Sequence, residues 1–210
     1  MDLQKSYNSR RKEIQKRLSE FRQVWNCPDE RIFAELAFCF CTPQSKAKTC
    51  WSAVSSLQDS RKLYSGSLPE IRKELQGGVR FHNSKAGYII RARGLFTENG
   101  KLSIKKKLLQ LGKPEEMREW LVKNLKGIGY KEASHFLRNI GFGKDIAILD
   151  RHVLKNLQTR GAIREVPKTL TPKKYLEIES RMREFSRKVN IPMDELDLLF
   201  WSEETGEVFK

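Results

Sequence analysis

The chain has 210 residues, 39% hydrophobic and 32% charged, which excludes compositional disorder and an integral membrane protein and leaves enough apolar surface for an unstapled core. Forty-one Lys and Arg against 26 Asp and Glu leave +15, which points to a polyanionic partner and away from acidic substrates or acidic metal-binding loops. The excess is uneven: residues 191–210 hold six acids and one base, a net of −5, so the preceding 190 carry +20.

The N-terminal stretch MDLQKSYNSRRKEIQKRLSE has no apolar signal core, and no later segment reaches membrane-span length, so the expected location is intracellular and away from membranes. Ile14, Leu18, Phe21 and Trp25 step by four, three and four along one face of a first helix, whose other face carries Arg10, Arg11, Lys12, Lys16 and Arg17. Residues 32–41 are apolar nearly all round and read as a central buried helix. Cys27, Cys39, Cys41 and Cys50 include no C-x-x-C pair and read as buried packing rather than metal ligands. Thr42-Pro43-Gln44-Ser45 makes a turn, with Ser45 placed to cap a helix bearing Ala47, Trp51 and Val54.

Asn83 to Phe96 predicts another helix, with Ala86, Ile89, Ile90 and Ala92 inward, ended by Glu98-Asn99-Gly100. Met117, Trp120, Leu121 and Leu125 mark a helix after Pro114. Ala133, Phe136, Leu137 and Ile140 mark the next, stopped by Gly141-Phe142-Gly143. Tyr175, Ile178, Met182, Phe185 and Val189 line a further helix, capped by Thr171 with Pro172 in its first turn. Strand patterns are scarce, with VRFH and DIAIL the only candidates. The fold class expected is all-α.

The stretch from Leu125 to Ala133 reads L-x-G-I-G-x-K-x-A between two amphipathic helices. Glycines at 127 and 129 permit positive φ and close approach of another backbone. The free N–H groups at the start of the following helix suit a nucleic-acid phosphate. An αα-turn with glycine stops would explain a lone G-x-G; the longer pattern favours a helix-hairpin-helix that binds DNA.

The same segment resembles the helix-hairpin-helix DNA glycosylases of the endonuclease III superfamily. In that family a lysine follows the hairpin and a catalytic aspartate comes some nineteen residues later, and here Lys131 precedes Asp150 by nineteen, within Leu149-Asp150-Arg151-His152-Val153. Arg80-Phe81-His82-Asn83-Ser84-Lys85-Ala86 is similar to the family's wedge loop, and Thr42-Pro43-Gln44-Ser45 occupies the place of its other minor-groove loop. The resemblance covers roughly residues 30–160. Asp197 to Trp201 and the ending Val208-Phe209-Lys210 resemble the type-2 8-oxoguanine DNA glycosylases. The four-cysteine iron–sulfur cluster of the endonuclease III branch has no ligands here, because no cysteine follows Cys50.

The resemblance implies two helical lobes with the active cleft between them: residues 31–149 with the hairpin at 125–133, and residues 1–30 joined to 150–210. Lys131 is then the nucleophile, forming a Schiff base at C1′, and Asp150 stabilises the charged sugar. Asp150 also sits where a helix N-cap belongs, and both roles can hold at once. Phe81 or His82 would fill the gap left by a flipped base and Gln44 would contact the opposite strand, although a core aromatic and a turn residue explain them equally well. Asp197 would accept N1–H and N2–H of a guanine-type base, with Trp201 one turn further on the same face for stacking and Lys210 reaching the base pocket; otherwise the tail is an amphipathic terminal helix. No cofactor or metal is implied, and the partner is damaged double-stranded DNA bound by a monomer. Two alternatives stay open: excision of another oxidised base, and a non-catalytic helix-hairpin-helix DNA-binding module.

Overall fold

A computed structural model describes residues 3–210. In chain order the elements begin with α1 (Leu3–Val24), α2 (Asp29–Cys41), α3 (Ala47–Asp59), α4 (Lys62–Ser65), α5 (Leu68–Gln76) and α6 (His82–Leu95). They continue with β1 (Thr97–Glu98), β2 (Lys101–Leu102), α7 (Ile104–Leu109), α8 (Pro114–Asn124), α9 (Tyr130–Asn139), α10 (Arg151–Thr159), α11 (Pro172–Val189) and α12 (Met193–Thr205). The all-α expectation holds, apart from the two-residue strands.

Contacts divide the chain into Val24–Phe136 and a second unit joining α1, through Gln23, to Leu137–Lys210. The division falls inside α9, whereas the sequence places its boundaries at residues 30 and 149.

In the first unit α2 is the centre. Every residue from Ile32 to Cys41 is buried, and α3, α6 and α7 pack against it. Cys39, Cys41 and Cys50 are buried free thiols, and burial pushes the Cys41 and Cys50 thiols up in pKa. Ser45 does not cap α3; Lys46 holds that position, and the Ser45 hydroxyl bonds elsewhere. Cys50, Val54 and Leu57 form the inward face of α3, while Ala47 and Trp51 are half-buried. Neither expected strand forms: VRFH leads into α6, and residues 145–149 are irregular. The strand pair sits instead where Glu98-Asn99-Gly100 reads as a helix stop. Thr97 pairs with Leu102 and Glu98 with Lys101 across Asn99 and Gly100, whose φ values of 49° and 76° give the doubly left-handed turn that hairpins favour.

In the second unit Ile14, Leu18 and Phe21 of α1 are buried, as the sequence predicts. Trp25, expected on the same face, is only half-buried and falls in the first unit. Thr171 caps α11 by accepting from Lys174 N, with Pro172 at the first turn, as the sequence predicts. Tyr175, Ile178, Met182 and Ser186 form the buried stripe of α11, with Phe185 and Val189 at its margin. Helix α12 packs on α10 and α11. Arg160 meets Glu203 at 2.8 Å and Lys155 meets Glu204 at 3.1 Å, so part of the acidic tail is paired with basic side chains of α10 and its C-cap. Among the described residues, no helix is long and apolar enough to cross a membrane.

Candidate functional site

Gln44, Phe81, His82, Gly127, Gly129 and Lys131 belong to the unit Val24–Phe136. Asp150, Asp197, Trp201 and Lys210 belong to the other.

The hairpin leaves α8 at Leu125 and enters α9 at Tyr130. Leu125 and Ile128 are buried and fix the turn to the core. Gly127 has φ +93°, and a side chain there would run into the Tyr88 ring. Gly129 has no positive φ, so the two glycines are not equivalent and only Gly127 meets the conformational expectation. A Cβ at 129 would lie 3.2 Å from the Glu132 carboxylate, which accepts from Gly129 N at 3.3 Å. The start of α9 is braced from α8: the Tyr130 hydroxyl donates to Glu119 at 2.6 Å, and the buried Arg118 guanidinium lies 5.4 Å from the Tyr130 ring centre. Lys131 follows, with its side chain about a quarter exposed and its Nζ 3.2 Å from Glu132 Oε1.

The two remaining loops of this unit end in exposed tips. Gln44 has φ 58° and Phe81 has φ 57°, left-handed backbones that cost a non-glycine residue about 1–2 kcal/mol. Phe81 is 57% exposed, capped by an Arg80 guanidinium 5.5 Å from its ring centre. His82 is half-buried in the first turn of α6. A residue the sequence reading assigned no role joins the tips. Lys85, buried in α6, donates from Nζ to Cys41 O at 2.8 Å, Pro43 O at 2.6 Å and Ser45 Oγ at 3.3 Å. Ser45 Oγ also accepts from Arg80 N at 2.9 Å. Burial pushes the Lys85 pKa down; the Lys131 and Arg80 charges act in the same direction, and Cys41 and Cys50 oppose them.

In the other unit Asp150 is the N-cap of α10. Its Oδ1 accepts from His152 N and Val153 N, each at 2.8 Å. Among the described residues Oδ2 makes no hydrogen bond, so the cap fixes the carboxylate and leaves one oxygen for other work. The irregular segment that delivers Asp150 is held by one stripe of α11. Glu179 accepts from Ala147 N at 2.7 Å, Tyr175 donates to Ala147 O at 2.6 Å and accepts from Leu149 N at 3.3 Å, and Arg183 donates to Asp145 O at 2.7 Å. Tyr175, Glu179 and Arg183 are four apart, so successive turns of one face replace the ladder a strand would have supplied. Sequence reasoning took Tyr175 for core and missed the other two. A buried carboxylate on an apolar helical stripe was the available signal.

Asp197 is buried, with Oδ2 3.8 Å from Arg138 Nη2. Trp201, one turn further along α12, is half-exposed, and Lys210 is buried. The same unit contains a cavity of about 380 Å³ edged by Arg22, Arg138 and Asp194. Burial, reinforced by Glu195, raises the Asp194 carboxyl pKa. None of the sequence-predicted site residues lines this cavity.

A sequence model of the family described as 8-oxoguanine DNA glycosylase matches residues 14–191. The chain is 47% identical to an 8-oxoguanine DNA glycosylase/AP lyase of Fusobacterium nucleatum, over 100% of this chain and 96% of that protein. Its fold is similar to the crystal structure of a Methanocaldococcus jannaschii 8-oxoguanine glycosylase/lyase in complex with a 15mer DNA containing 8-oxoguanine. The TM-score is 0.89 and the identity 38%, covering 99% of this chain and 97% of that one. A similar likeness, TM-score 0.88 and 33% identity over 99% and 96% of the two chains, holds with the 8-oxoguanine DNA glycosylase of Thermotoga maritima.

Proposed function

The chain belongs to the 8-oxoguanine DNA glycosylase family, and from that premise we propose that it excises 8-oxoguanine from duplex DNA and then cleaves the strand, as a bifunctional glycosylase and lyase of base-excision repair. The observation that carries this is the occurrence, in a chain 47% identical over its whole length to such an enzyme, of Lys131 in the first turn after a Gly127 hairpin and, nineteen residues on, of Asp150 capping the next helix.

Lys131, as the neutral amine, attacks C1′ of the flipped nucleoside. The N–C1′ bond forms as the glycosidic bond breaks, and the base leaves with the bonding pair and takes up a proton. Opening of the sugar ring gives the imine. Loss of a C2′ proton then expels the 3′ phosphate. Asp150 offsets positive charge at the sugar through Oδ2 while Oδ1 stays on the helix. Backbone N–H groups around Gly127 and Gly129 take a phosphate, and the +15 charge supplies general attraction to the duplex. Phe81, rather than the half-buried His82, is the wedge, and Gln44 meets the opposite strand. Asp197, Trp201 and Lys210 read the base: the carboxylate takes ring N–H donors, the indole stacks, and the lysine reaches the oxidised edge. The protein acts inside the cell, as a monomer, and needs neither metal nor organic cofactor, because lysine supplies the chemistry.

The test is a labelled duplex with one 8-oxoguanine opposite cytosine, with released base and strand scission measured together. Both products are expected, and neither from undamaged duplex. A strand that survives hot alkali shows that no base was removed and overturns the proposal.

A further inference from the structure

Lys85 is buried, carries a charge, and has no carboxylate partner among the described residues. A buried ammonium held only by neutral oxygens is an expensive way to stabilise a core, and a hydrophobic side chain would serve packing better. Its three donors match three acceptors, Cys41 O, Pro43 O and Ser45 Oγ, all in or before the Gln44 turn. Its own helix starts at the Phe81 tip, and the Arg80 N–H closes the link onto Ser45 Oγ. The elements so joined are the two exposed tips, each on a left-handed non-glycine residue. Strain of this kind persists only where surrounding bonds over-determine it.

We propose that Lys85, with Ser45 as its relay, is a positioning residue that locks the Gln44 and Phe81 tips into one preset two-pronged element for unstacking the duplex at the lesion. The proposal rests on the reading of those tips as the wedge and the opposite-strand contact. Neither Lys85 nor Ser45 touches the reacting atoms. With the prongs preset, the duplex meets an ordered element, and no loop has to be ordered during flipping.

The experiment compares Lys85→Met, Ser45→Ala, Phe81→Ala and the Lys85→Met/Phe81→Ala double variant. Single-turnover excision is followed on an 8-oxoguanine:cytosine duplex carrying 2-aminopurine beside the lesion, whose fluorescence rises on unstacking. Borohydride trapping on a duplex with a ready-made abasic site, where no base remains to be unstacked, is the control. Lys85→Met is expected to slow excision by roughly tenfold or more and to lose the fast fluorescence rise, with trapping within about threefold of the parent. Ser45→Ala, which leaves the charge unchanged, is expected to show the same pattern more weakly, and it carries the test if Lys85→Met fails to fold. The double variant should be no slower than Phe81→Ala alone. If Phe81→Ala behaves as the parent, the wedge reading itself fails. If Phe81→Ala is impaired while both brace variants behave as the parent, the wedge stands and the role of Lys85 is overturned. Equal losses in excision and trapping also overturn it, because the effect would then run through Lys131 or the fold.

Discussion

Replacing Asp150 by Asn and by Ala separates the structural work of one oxygen from the chemical work of the other. Oδ1 accepts two backbone N–H groups at 2.8 Å, a complete N-cap for α10. Alanine removes that cap and should cost about 1–2 kcal/mol. Asparagine keeps a neutral oxygen in the same place and loses only the favourable placement of charge at a helix start, about 0.3–1 kcal/mol. For a chain of this size each kcal/mol moves the melting temperature by about 2–4 °C, so alanine should lower Tm by about 2–8 °C and asparagine by no more than about 4 °C. In the proposed mechanism excision depends instead on the negative charge near the sugar, which both substitutions remove. Both should lower the single-turnover rate by on the order of 10²–10³. Thermal melts followed by circular dichroism and excision from an 8-oxoguanine:cytosine duplex read the two effects on the same samples. An asparagine variant that excises within about threefold of the parent would refute the reasoning and reduce Asp150 to a helix cap.

The two hairpin glycines should respond differently. Gly127→Ala forces a side chain onto φ +93° and into the Tyr88 ring and should cost about 2–4 kcal/mol, while Gly129→Ala should cost under about 1, read as shifts in the urea midpoint. Glu179→Ala leaves the buried Ala147 N–H without its 2.7 Å acceptor and should cost about 1–3 kcal/mol and slow excision through Asp150; Glu179→Gln should lose less than half as much of either. The Tyr7 hydroxyl donates to Glu195 at 2.6 Å, and burial, with that bond, pushes its pKa up to about 12 from 10.0. The folded value lies above the unfolded one, so this contribution is present below pH 10 and lost as pH rises to 12. Tyr7→Phe should therefore unfold with a shallower loss of stability between pH 10 and 12, and identical slopes would contradict the assignment.

The helices were readable because apolar residues recur at three and four, as from Ile14 to Phe21 and from Tyr175 to Met182, and that period survives any tertiary arrangement. The short helices α4 and α7 lack room for a period, and the sequence reading passed over both. Ser45 shows a different limit. Its local context fits a cap, but its partners are Arg80 and Lys85, 35 and 40 residues away, and such bonds leave no local trace. Gly127 and Gly129 are the same letter two positions apart, yet only Gly127 is left-handed, and only there does the Tyr88 ring from α6 fill the space a Cβ would need. DIAIL looks like a strand because β-branched Ile146 and Ile148 stand in a short apolar run; the bonds a strand neighbour would have made come from Glu179 and Tyr175 of a helix. Lys131 and Asp150 stand out as candidates in the sequence because each has a motif around it. The bracing residues carried no such motif: Lys85 behind the two tips, Glu119 at the start of α9 and Glu179 behind Ala147 are polar residues on ordinary helices, and only the partners they reach distinguish them.

The measurement that bears most directly on the lysine mechanism is borohydride trapping of the protein, with its C-terminus untagged, on a labelled duplex carrying one 8-oxoguanine opposite cytosine. The predicted result is a covalent protein–DNA adduct that is absent with undamaged guanine and lost in Lys131→Gln, while that variant still binds the duplex. An adduct that persists in Lys131→Gln, or no adduct from a protein that excises the base, would contradict the assignment of Lys131 as the nucleophile.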